Sequence, residues 1–281
     1  MSKDASKSTS PPQHATPPDA RFPHEDPFLD AAGNPRRLRG AMVLSGSPRV
    51  AELAARVGFD TLWIELEHAT TLGFQQAEQL AIACTAGGAV PTIRTQDAQR
   101  THILRALEIG ARMIVVPMVN TAEIAKQVVE FGRFPPAGKR GYNTLSRGLE
   151  YGQAPTPVEL LQRANRRIRL FAQIETAEAL DNLESILAVE GLDGVFVGPG
   201  DLSVALGCTG DMANPKLIAE VERVIATAHQ HHKKAALLVA PGPMLDSAVA
   251  AGVDLVFYSS DLGVLGKQWA EHEQLVPSQL R

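Results

Sequence analysis

The stretch Gly191-Leu192-Asp193-Gly194-Val195-Phe196-Val197-Gly198-Pro199-Gly200-Asp201 contains the pattern on which the fold of this chain depends. Gly191 suits the left-handed cap at the end of a helix, because glycine adopts positive φ without a steric penalty. The short apolar run at 194–197 is typical of a strand buried on both faces of a parallel sheet. The stretch therefore predicts a helix end, a buried strand and a loop that carries Asp201.

The same order of elements recurs from residue 39 onward. Glycine precedes a predicted strand at Gly58, Gly88, Gly110, Gly191 and Gly252. Short apolar runs alternate with helical patterns and are predicted as eight strands, at residues 41–44, 61–64, 90–93, 112–116, 169–174, 194–197, 235–239 and 254–257. This alternation is typical of α/β folds with a parallel sheet. Eight strands favour a closed (β/α)8 TIM barrel over an open doubly wound sheet, and no G-x-G-x-x-G follows an early strand, which disfavours dinucleotide binding.

The chain length of 281 residues fits one (β/α)8 domain, which needs roughly 250 residues, and an additional tail. Residues 1–36 are rich in Pro and Ser and contain few bulky aliphatic side chains. A segment with so little apolar surface to bury is expected to be disordered. We therefore predict a disordered tail at 1–36 and a barrel domain at 37–281, and expect that removing the tail leaves folding and activity nearly unchanged.

Composition narrows the possible partners and locations. The formal net charge is -4, and Lys and Arg are scattered rather than collected in a basic stripe, so nucleic acid is not expected as a partner. No apolar run approaches the roughly 18 residues that cross a bilayer, and no apolar segment of a secretory signal is present near the start. We expect a cytoplasmic protein, with organelle targeting as a weak alternative. Cys84 and Cys208 are expected to be reduced thiols.

Reacting groups of a (β/α)8 barrel lie at the carboxyl ends of its strands. Polar residues follow four of the predicted strands: Glu65, Glu67 and His68 after the second, Arg94 after the third, Gln173 and Glu175 after the fifth, and Gly198, Pro199, Gly200 and Asp201 after the sixth. Because parallel strands end on one side of the barrel, these residues are expected to meet at one mouth. The interval at 132–157, too rich in Pro and Gly for one helix, is expected to be a functional loop.

Glu175 and Asp201 are candidate metal ligands. They are hard oxygen donors on adjacent strands, and Mg²⁺ and Mn²⁺ prefer such donors. The structural alternative is that Glu175 stabilises the start of a helix capped by Thr176, and that Asp201 caps a helical turn. The spacing of these residues leaves both alternatives open.

His68 and Arg94 are candidate catalytic residues. A carboxylate such as Glu65 that holds one ring nitrogen would orient the His68 imidazole as a general base, whereas Glu67 alternates with Glu65 and one of the two should point away. The alternative for His68 is a hydrogen-bonded structural role. Arg94 ends an apolar strand, where it forms a buried ion pair, with Glu65 or Glu108, or recognises a substrate carboxylate or enolate.

A Schiff-base lysine is disfavoured. No lysine stands on the predicted fifth or sixth strand, and Lys233 and Lys234 precede the seventh strand at the opposite end of the barrel. Lys139 in the long loop is the remaining candidate, so imine chemistry is disfavoured rather than excluded.

Several stretches resemble the HpcH/HpaI aldolase family, the class II pyruvate aldolases related to 2-dehydro-3-deoxyglucarate aldolase. They run in order across most of residues 40–260: Gly58-Phe59-Asp60 with Glu65-Leu66-Glu67-His68, Ile93-Arg94, Val116-Pro117-Met118-Val119, Arg-Phe-Pro-Pro-Ala-Gly-Lys-Arg-Gly at 133–141, Gln173-Ile174-Glu175-Thr176, and residues 191–203. The resemblance implies a lyase that reversibly cleaves 4-hydroxy-2-oxo acids to pyruvate and an aldehyde through a metal-stabilised enolate of pyruvate.

The resemblance also implies individual roles at the site. Glu175 and Asp201 would bind Mg²⁺, Mn²⁺ or Co²⁺, which chelates the carboxylate and keto oxygens of pyruvate. Arg94 would stabilise the enolate oxygen, and His68 would take the proton of the C4 hydroxyl. The substrate would be contacted by Gln173 and by the turn Gly198-Pro199-Gly200.

The chain departs from typical members of the family at two carboxylates. Glu65 and Glu108 stand where typical members have Asp, which changes the reach of each carboxylate.

Around Ser146-Arg147-Gly148-Leu149-Glu150-Tyr151-Gly152 the chain resembles macrophomate synthase, so oxaloacetate decarboxylation is the alternative activity. A non-catalytic barrel that binds a small acid is a third hypothesis. A homo-oligomer, specifically a hexamer, is implied, with residues 262–275 packing on a neighbouring subunit.

Overall fold

The computed structural model describes residues 25–68, 72–154 and 156–277. Within them, eight parallel strands form a closed barrel in the order β1 to β8, with β8 paired to β1. The strands are β1 Leu38–Met42, β2 Thr61–Glu65, β3 Val90–Arg94, β4 Met113–Val116, β5 Arg169–Ile174, β6 Gly194–Val197, β7 Lys234–Leu238 and β8 Leu255–Ser260. The predicted (β/α)8 TIM barrel is confirmed, and the predicted strand ends differ from the observed ones by up to three residues.

Helices connect the strands. They are α1 Pro48–Val57, α2 Phe74–Ala86, α3 Arg100–Glu108, α4 Ala122–Gly132, α5 Pro157–Arg167, α6 Ala177–Asp181, α7 Leu183–Leu187, α8 Pro199–Ala205, α9 Pro215–Gln230, α10 Pro243–Ala250 and α11 Asp261–Gln274, with a 3-10 helix at Arg147–Gly152. The glycines predicted to end helices, at 58, 88, 110, 191 and 252, have φ between 85° and 117°. Their left-handed conformation lets the chain leave a helix and enter the next strand, as the sequence predicted.

Two separate apolar layers stabilise the barrel. Leu, Val and Ala side chains fill the space between strands and helices, whereas the barrel interior holds a cluster of larger side chains. Trp63 and Phe196 pack within that interior with ring centroids 4.8 Å apart. Gly194 makes room for Phe171, because a Cβ at this position would lie 2.6 Å from the Phe171 ring. Among the described residues, the interior is therefore filled by side chains, and the barrel leaves space for a ligand at the carboxyl ends of its strands.

Residues 25–36, predicted as part of the disordered tail, pack against the amino-terminal end of the barrel. Phe28 is 1% exposed and joins the interior cluster, with its ring centroid 6.3 Å from that of Phe171. Asp26 pairs with Arg169 at 2.7 Å, and Arg36 pairs with Asp60. The boundary predicted at residue 36 therefore differs from the structure, because the segment buries Phe28 in the barrel interior and forms two ion pairs with it. Residues 1–24 lie outside the described residues.

The long loop between α4 and α5 packs along the outside of α3. Gly148 approaches the carbonyl group of Leu107 at the end of α3. Leu149, Phe134 and Leu160 form a small separate apolar cluster. The loop does not contribute to the cavity at the carboxyl ends of the strands within the described residues, so a function for it stays a prediction.

Two other sequence predictions concern the cysteines and the membrane. Cys84 and Cys208 are free thiols, as predicted. In the described ranges, no helix combines the length and the apolar character that crossing a bilayer requires.

Candidate active site

A cavity of about 330 Å³ lies at the carboxyl ends of the strands, where the sequence predicted the site. Its polar lining consists of predicted site residues: His68, Arg94, Gln173, Gly198, Pro199, Gly200 and Asp201. Glu65 and Glu175 contact this lining, since Glu65 is hydrogen-bonded to Arg94 and Glu175 to Gln173. The fold therefore brings the predicted residues of four strand ends together at one mouth.

Glu65 and Arg94 form a buried ion pair at the ends of β2 and β3, which are in register. Arg94 donates from Nε to the two carboxylate oxygens of Glu65 at 2.9 and 3.1 Å, and its Nη2 lies 2.6 Å from Oε2. Burial would raise the pKa of Glu65, but the hydrogen bonds and charge of Arg94 outweigh it and hold this pKa below its ordinary value. The predicted ion pair of Arg94 thus forms with Glu65, and Arg94 still lines the cavity.

Trp63 supports this pair, although the sequence analysis gave it no role. Its indole Nε1 donates to Oε2 of Glu65 at 2.9 Å, and the guanidinium of Arg94 lies 5.4 Å from its ring centroid. Trp63 stands two residues before Glu65 on β2, so both side chains point to the inner face of the barrel. That spacing of two was the signal in the sequence that could have identified it.

The predicted pairing of the His68 ring with Glu65 is wrong. Glu65 accepts hydrogen bonds from the backbone N–H groups of Glu67 and His68, at 2.7 and 3.1 Å, rather than from the imidazole. The ring of His68 is 4.0 Å from Glu67, measured from Nε2 to Oε2, and its side chain is 67% exposed. The physical reason is that the Glu65 carboxylate already faces Arg94 and Trp63, while the chain turns outward after β2. His68 therefore lies at the rim of the cavity.

Glu67 also contacts the site instead of pointing away from it. Its Oε2 lies 3.0 Å from Nη1 of Arg94. Burial raises the pKa of Glu67, and the charge of Glu175 adds to the increase, against the opposing charges of Arg94 and His68. A carboxyl group that holds a proton more readily than an ordinary glutamate therefore lies between Arg94, His68 and Glu175.

Glu175 follows β5 and is buried. Its Oε1 accepts from the backbone N–H of Met118 at 2.7 Å, and its Oε2 accepts from the side-chain amide of Gln173. Burial raises the pKa of Glu175, the two hydrogen bonds lower it, and the charge of Asp201 raises it further. Thr176 caps α6 by accepting from the N–H of Ala179, as the structural alternative required, whereas the carboxylate of Glu175 faces Met118 and Gln173.

Gly198 lets the end of β6 approach this group closely. A Cβ at residue 198 would lie 2.9 Å from Oε2 of Glu175 and 3.1 Å from Nε2 of Gln173. Its φ of -94° is open to any residue, so glycine is required here for space rather than for conformation. Gly198 thus determines how near the polar turn before Asp201 can lie to Glu175.

Met118 is a second residue whose role the sequence analysis missed. It follows β4 and Pro117, has φ 54°, and donates its backbone N–H to Glu175. The contact joins residues 57 positions apart in the chain. A local sequence pattern carries no signal for such a contact.

The donors around Glu175 fit a divalent cation. Glu175 and Asp201 are mutually repelling carboxylates, and Oε1 of Gln173 is buried without a hydrogen-bond partner in the described part of the chain. The same ranges contain no group of three or more His, Cys, Asp and Glu arranged to hold a metal. Mg²⁺ is usually held by one or two carboxylates together with water and substrate oxygens, so two carboxylates and an amide oxygen are a donor set that suits it.

Lys139, the remaining candidate for an imine, lies outside this cavity. Its Nζ is 2.6 Å from Oε1 of Glu130 on the outer side of the barrel. As far as the structure describes the chain, no lysine lines the cavity. The absence of a covalent imine stays a prediction that this geometry supports.

The barrel and its mouth define a class of protein: a (β/α)8 barrel in which an arginine, an aspartate and a histidine line one cavity, with a buried glutamate adjoining it through Gln173. The model of the HpcH/HpaI aldolase/citrate lyase family matches residues 40–268. The chain is 38% identical over 232 residues to 2-keto-3-deoxy-L-rhamnonate aldolase of Klebsiella pneumoniae, which covers 79% of this chain and 85% of the relative.

Solved structures agree with this match. The HpcH/HpaI aldolase from Desulfitobacterium hafniense aligns with a TM-score of 0.80 and 28% identity, covering 86% of this chain and 93% of that one. Macrophomate synthase shares the fold, with a TM-score of 0.72 and 21% identity over 86% of this chain and 87% of that one. This chain belongs to the HpcH/HpaI aldolase/citrate lyase family and is a carbon–carbon lyase.

Proposed function

We propose that this lyase is a divalent-metal-dependent aldolase that reversibly cleaves 4-hydroxy-2-oxo acids to pyruvate and an aldehyde through the enolate of pyruvate. One observation carries the proposal: Asp201 lines the same cavity as Arg94 and raises the pKa of the buried Glu175, and the Gln173 oxygen at this cavity has no hydrogen-bond partner among the described residues. A second support is the name of the Klebsiella relative, which specifies cleavage of a 2-keto-3-deoxy acid.

Glu175 and Asp201 are the residues that would hold the metal, Mg²⁺, Mn²⁺ or Co²⁺. When bound, the cation supplies a strong positive field for the negative charge of the enolate. Gln173 positions one carboxylate oxygen of Glu175, and Met118 positions the other. The chain thus orients Glu175 from two sides before any ligand enters.

Arg94 and His68 act on the substrate in this proposal. Arg94 is fixed by Glu65 and Glu67, so its guanidinium faces the cavity in one orientation and can bind a carboxylate or the enolate oxygen. His68 lies at the rim and takes the proton of the C4 hydroxyl as the bond between C3 and C4 breaks. The electrons of that bond form the enolate, and the former C4 becomes the aldehyde carbon.

Activity assays on 4-hydroxy-2-oxo acids and on oxaloacetate test the proposal against decarboxylation and against a non-catalytic barrel. We expect a chelator to silence cleavage and Mg²⁺, Mn²⁺ or Co²⁺ to restore it, and we expect Glu175→Gln and Asp201→Asn to abolish activity and calorimetric metal binding together. Borohydride with pyruvate should leave the protein mass unchanged. Full activity in chelated protein, or pyruvate trapped on Lys139, would refute this mechanism.

A comparison of two reactions tests the role of His68. His68→Ala should reduce aldol cleavage far more than oxaloacetate decarboxylation, because decarboxylation requires no proton removal from a C4 hydroxyl. Equal losses in the two reactions would mean that His68 maintains the structure of the site.

We also propose a homo-oligomer, a hexamer, in which α11 packs on a neighbouring subunit, and a cytoplasmic location. Support for the oligomer is that α11 has no buried residue within its described length, while Leu262, Val264, Leu265 and Trp269 are at least one-third exposed. An isolated helix with this much exposed apolar surface is typical of an interface. Light scattering that reports a monomer at micromolar concentration would contradict the proposal.

A further inference from the structure

Another cavity, of about 300 Å³, lies between the 3-10 helix of the long loop, α5 and the amino-terminal ends of β3 and β4. The active-site cavity lies at the opposite ends of the strands, and the two cavities share no lining residue among those described. The long loop, for which the sequence predicted a function, therefore forms part of a cavity that the proposed reaction does not use.

The described lining of this cavity has an excess of positive charge. Four arginines and one carboxylate line it: Arg112, Arg147, Arg163, Arg167 and Glu150. The arginines come from three places in the chain, the residue before β4, the 3-10 helix and α5. The fold thus collects cations at one place in a chain whose formal net charge is -4.

Glu150 neutralises part of this charge. Its carboxylate contacts Arg167 and lies 3.1 Å from Nη1 of Arg163. Arg163 also lies 3.9 Å from carboxylate oxygens of Glu25 and Glu159. The backbone of Glu150 is left-handed, with φ 53°, a conformation that is unfavourable for a residue with a Cβ. Glu150 is therefore held against two of the arginines despite this local cost.

Arg147 has no such counter-ion. It is half-buried, and its guanidinium forms no hydrogen bond or ion pair with the residues that the structure describes. Its aliphatic part packs on Gly110, where an added Cβ would lie 2.9 Å from Cδ of Arg147. The packing holds the side chain at the cavity, and the charged group stays available to a ligand.

Arg140 adds positive charge behind the cavity wall. It is 5% exposed, and its Nε and Nη1 have no hydrogen-bond partner in the described part of the chain. Its Nη2 would lie 3.2 Å from a Cβ at Gly148, a residue that lines the cavity. Two arginines without a hydrogen-bonded carboxylate thus border the same space.

We propose that this cavity binds an organic phosphate, specifically a phosphate monoester with a small apolar body. A phosphate monoester carries a charge of about -1.5 to -2 at neutral pH and three strong acceptor oxygens, which suits more than one guanidinium. The apolar part of the lining, including Leu149, Leu160 and Ile168, receives the organic group. A ligand bound here does not contact Glu175 or Asp201, so it is not the substrate of the lyase.

Three probes separate the parts of such a ligand. Phenyl phosphate carries the doubly charged group and an apolar ring, inorganic phosphate lacks the ring, and benzoate joins the ring to a single charge. Calorimetry uses the full chain without divalent metal, so that no cation at Glu175 and Asp201 attracts the phosphate. We expect phenyl phosphate to bind most tightly and benzoate to bind on the order of tenfold more weakly or less, because it offers one charge and fewer acceptors.

Two substitutions with opposite expected effects locate the binding. Arg147→Gln should weaken phenyl phosphate binding by about 10- to 100-fold, because a hydrogen bond to a charged group is lost. Glu150→Gln should tighten it by about tenfold, because the carboxylate that competes for Arg163 and Arg167 is removed. Arg223→Gln is the matched control: Arg223 lies on α9, pairs with Glu220 at 2.7 Å and does not line the cavity, so the dissociation constant should be unchanged.

Thermal melting curves establish that each variant is folded, and Glu150→Gln decides alone if Arg147→Gln is not. Binding of phenyl phosphate that is absent at millimolar concentration, or no tighter than that of benzoate, would overturn the proposal. A dissociation constant that Arg147→Gln leaves unchanged, or that Glu150→Gln fails to lower, would place the anion elsewhere on the protein and would equally overturn it.

Discussion

At the residue scale, Gly198 and Gly200 differ in how much space a side chain would have at each position. A Cβ at Gly198 would press against Glu175 and Gln173, whereas a Cβ at Gly200 would have no neighbour within 4 Å in the described structure. We expect Gly198→Ala to lower kcat/KM by about 100-fold, because displacing a catalytic group by about 1 Å reduces the rate by roughly that factor. Gly200→Ala adds the same methyl group to the same turn without touching Glu175 or Gln173, so it should lose clearly less kcat/KM than Gly198→Ala.

Thermal melting distinguishes this effect from unfolding. Both variants should melt within a few degrees of the wild type, since neither position has a backbone conformation reserved for glycine. Equal activity of Gly198→Ala and the wild type would show that the close approach to Glu175 is unimportant.

Glu65 provides a prediction on pH and stability. Its pKa is lowered in the folded protein, so the stabilisation from its charge is complete above the ordinary glutamate pKa of about 4.3 and is lost as the pH falls through the lowered value. Glu65→Gln leaves Arg94 without its main counter-ion and should reduce the free energy of unfolding at pH 7 by about 3 kcal/mol. Urea unfolding of chelator-treated protein between pH 7 and pH 3 should show this difference shrinking toward the acid end.

Glu67→Gln is the contrasting variant for the same measurement. The pKa of Glu67 is raised, so its contribution to stability is present at acid pH and is lost as the pH rises through the folded-state value. Relative to the wild type, Glu67→Gln should therefore gain stability from pH 3 to pH 7, opposite to Glu65→Gln. The same pH trend in both variants would contradict the assigned directions of the two pKa shifts.

At the element scale, the segment before β1 covers the amino-terminal end of the barrel by burying the Phe28 ring in its interior. Phe28→Ala should cost about 3 to 5 kcal/mol of unfolding free energy, because a buried aromatic ring is removed from a filled interior. Activity at 25 °C should change little, since Phe28 and the cavity lie at opposite ends of the barrel. Denaturant unfolding checks the first expectation, and a chain that starts at residue 37 should show at least the same loss of stability. If the truncated chain were as stable as the wild type, residues 25–36 would not stabilise the barrel, and the tail predicted at 1–36 would be correct.

At the scale of the whole molecule, α11 decides the expected assembly. Trp269 is 67% exposed, and a charge at this position would make burial against a neighbouring subunit unfavourable. If the proposed oligomer forms through α11, Trp269→Glu should lower the mass that light scattering reports at micromolar concentration, whereas the adjacent Gln268→Glu, with the same added charge, should leave that mass unchanged. If Trp269→Glu had the same mass as the wild type, α11 would not form the interface between subunits.

The sequence by itself determined the barrel and which residues follow its strands at the carboxyl end. Continuous apolar runs predict the strands, glycines predict the helix ends, and a position directly after a strand indicates a candidate reacting group. Each of these signals lies within about ten neighbouring residues. The closed parallel topology then brings Arg94 and Asp201 to one cavity, with Glu65 hydrogen-bonded to Arg94 and Glu175 to Gln173.

Only the tertiary structure decided which partners these residues have. The bond from Arg94 to Glu65 spans 29 positions, and the one from Met118 to Glu175 spans 57. The burial of Phe28 likewise depends on a ring at Phe171, far along the chain. Such contacts depend on the side-chain directions at strand ends and on the space left by neighbours, for example at Gly198. A carboxylate three residues before a histidine therefore predicted a dyad, but Glu65 contacts the arginine of the adjacent strand because that guanidinium lies closer to the inner face of the barrel.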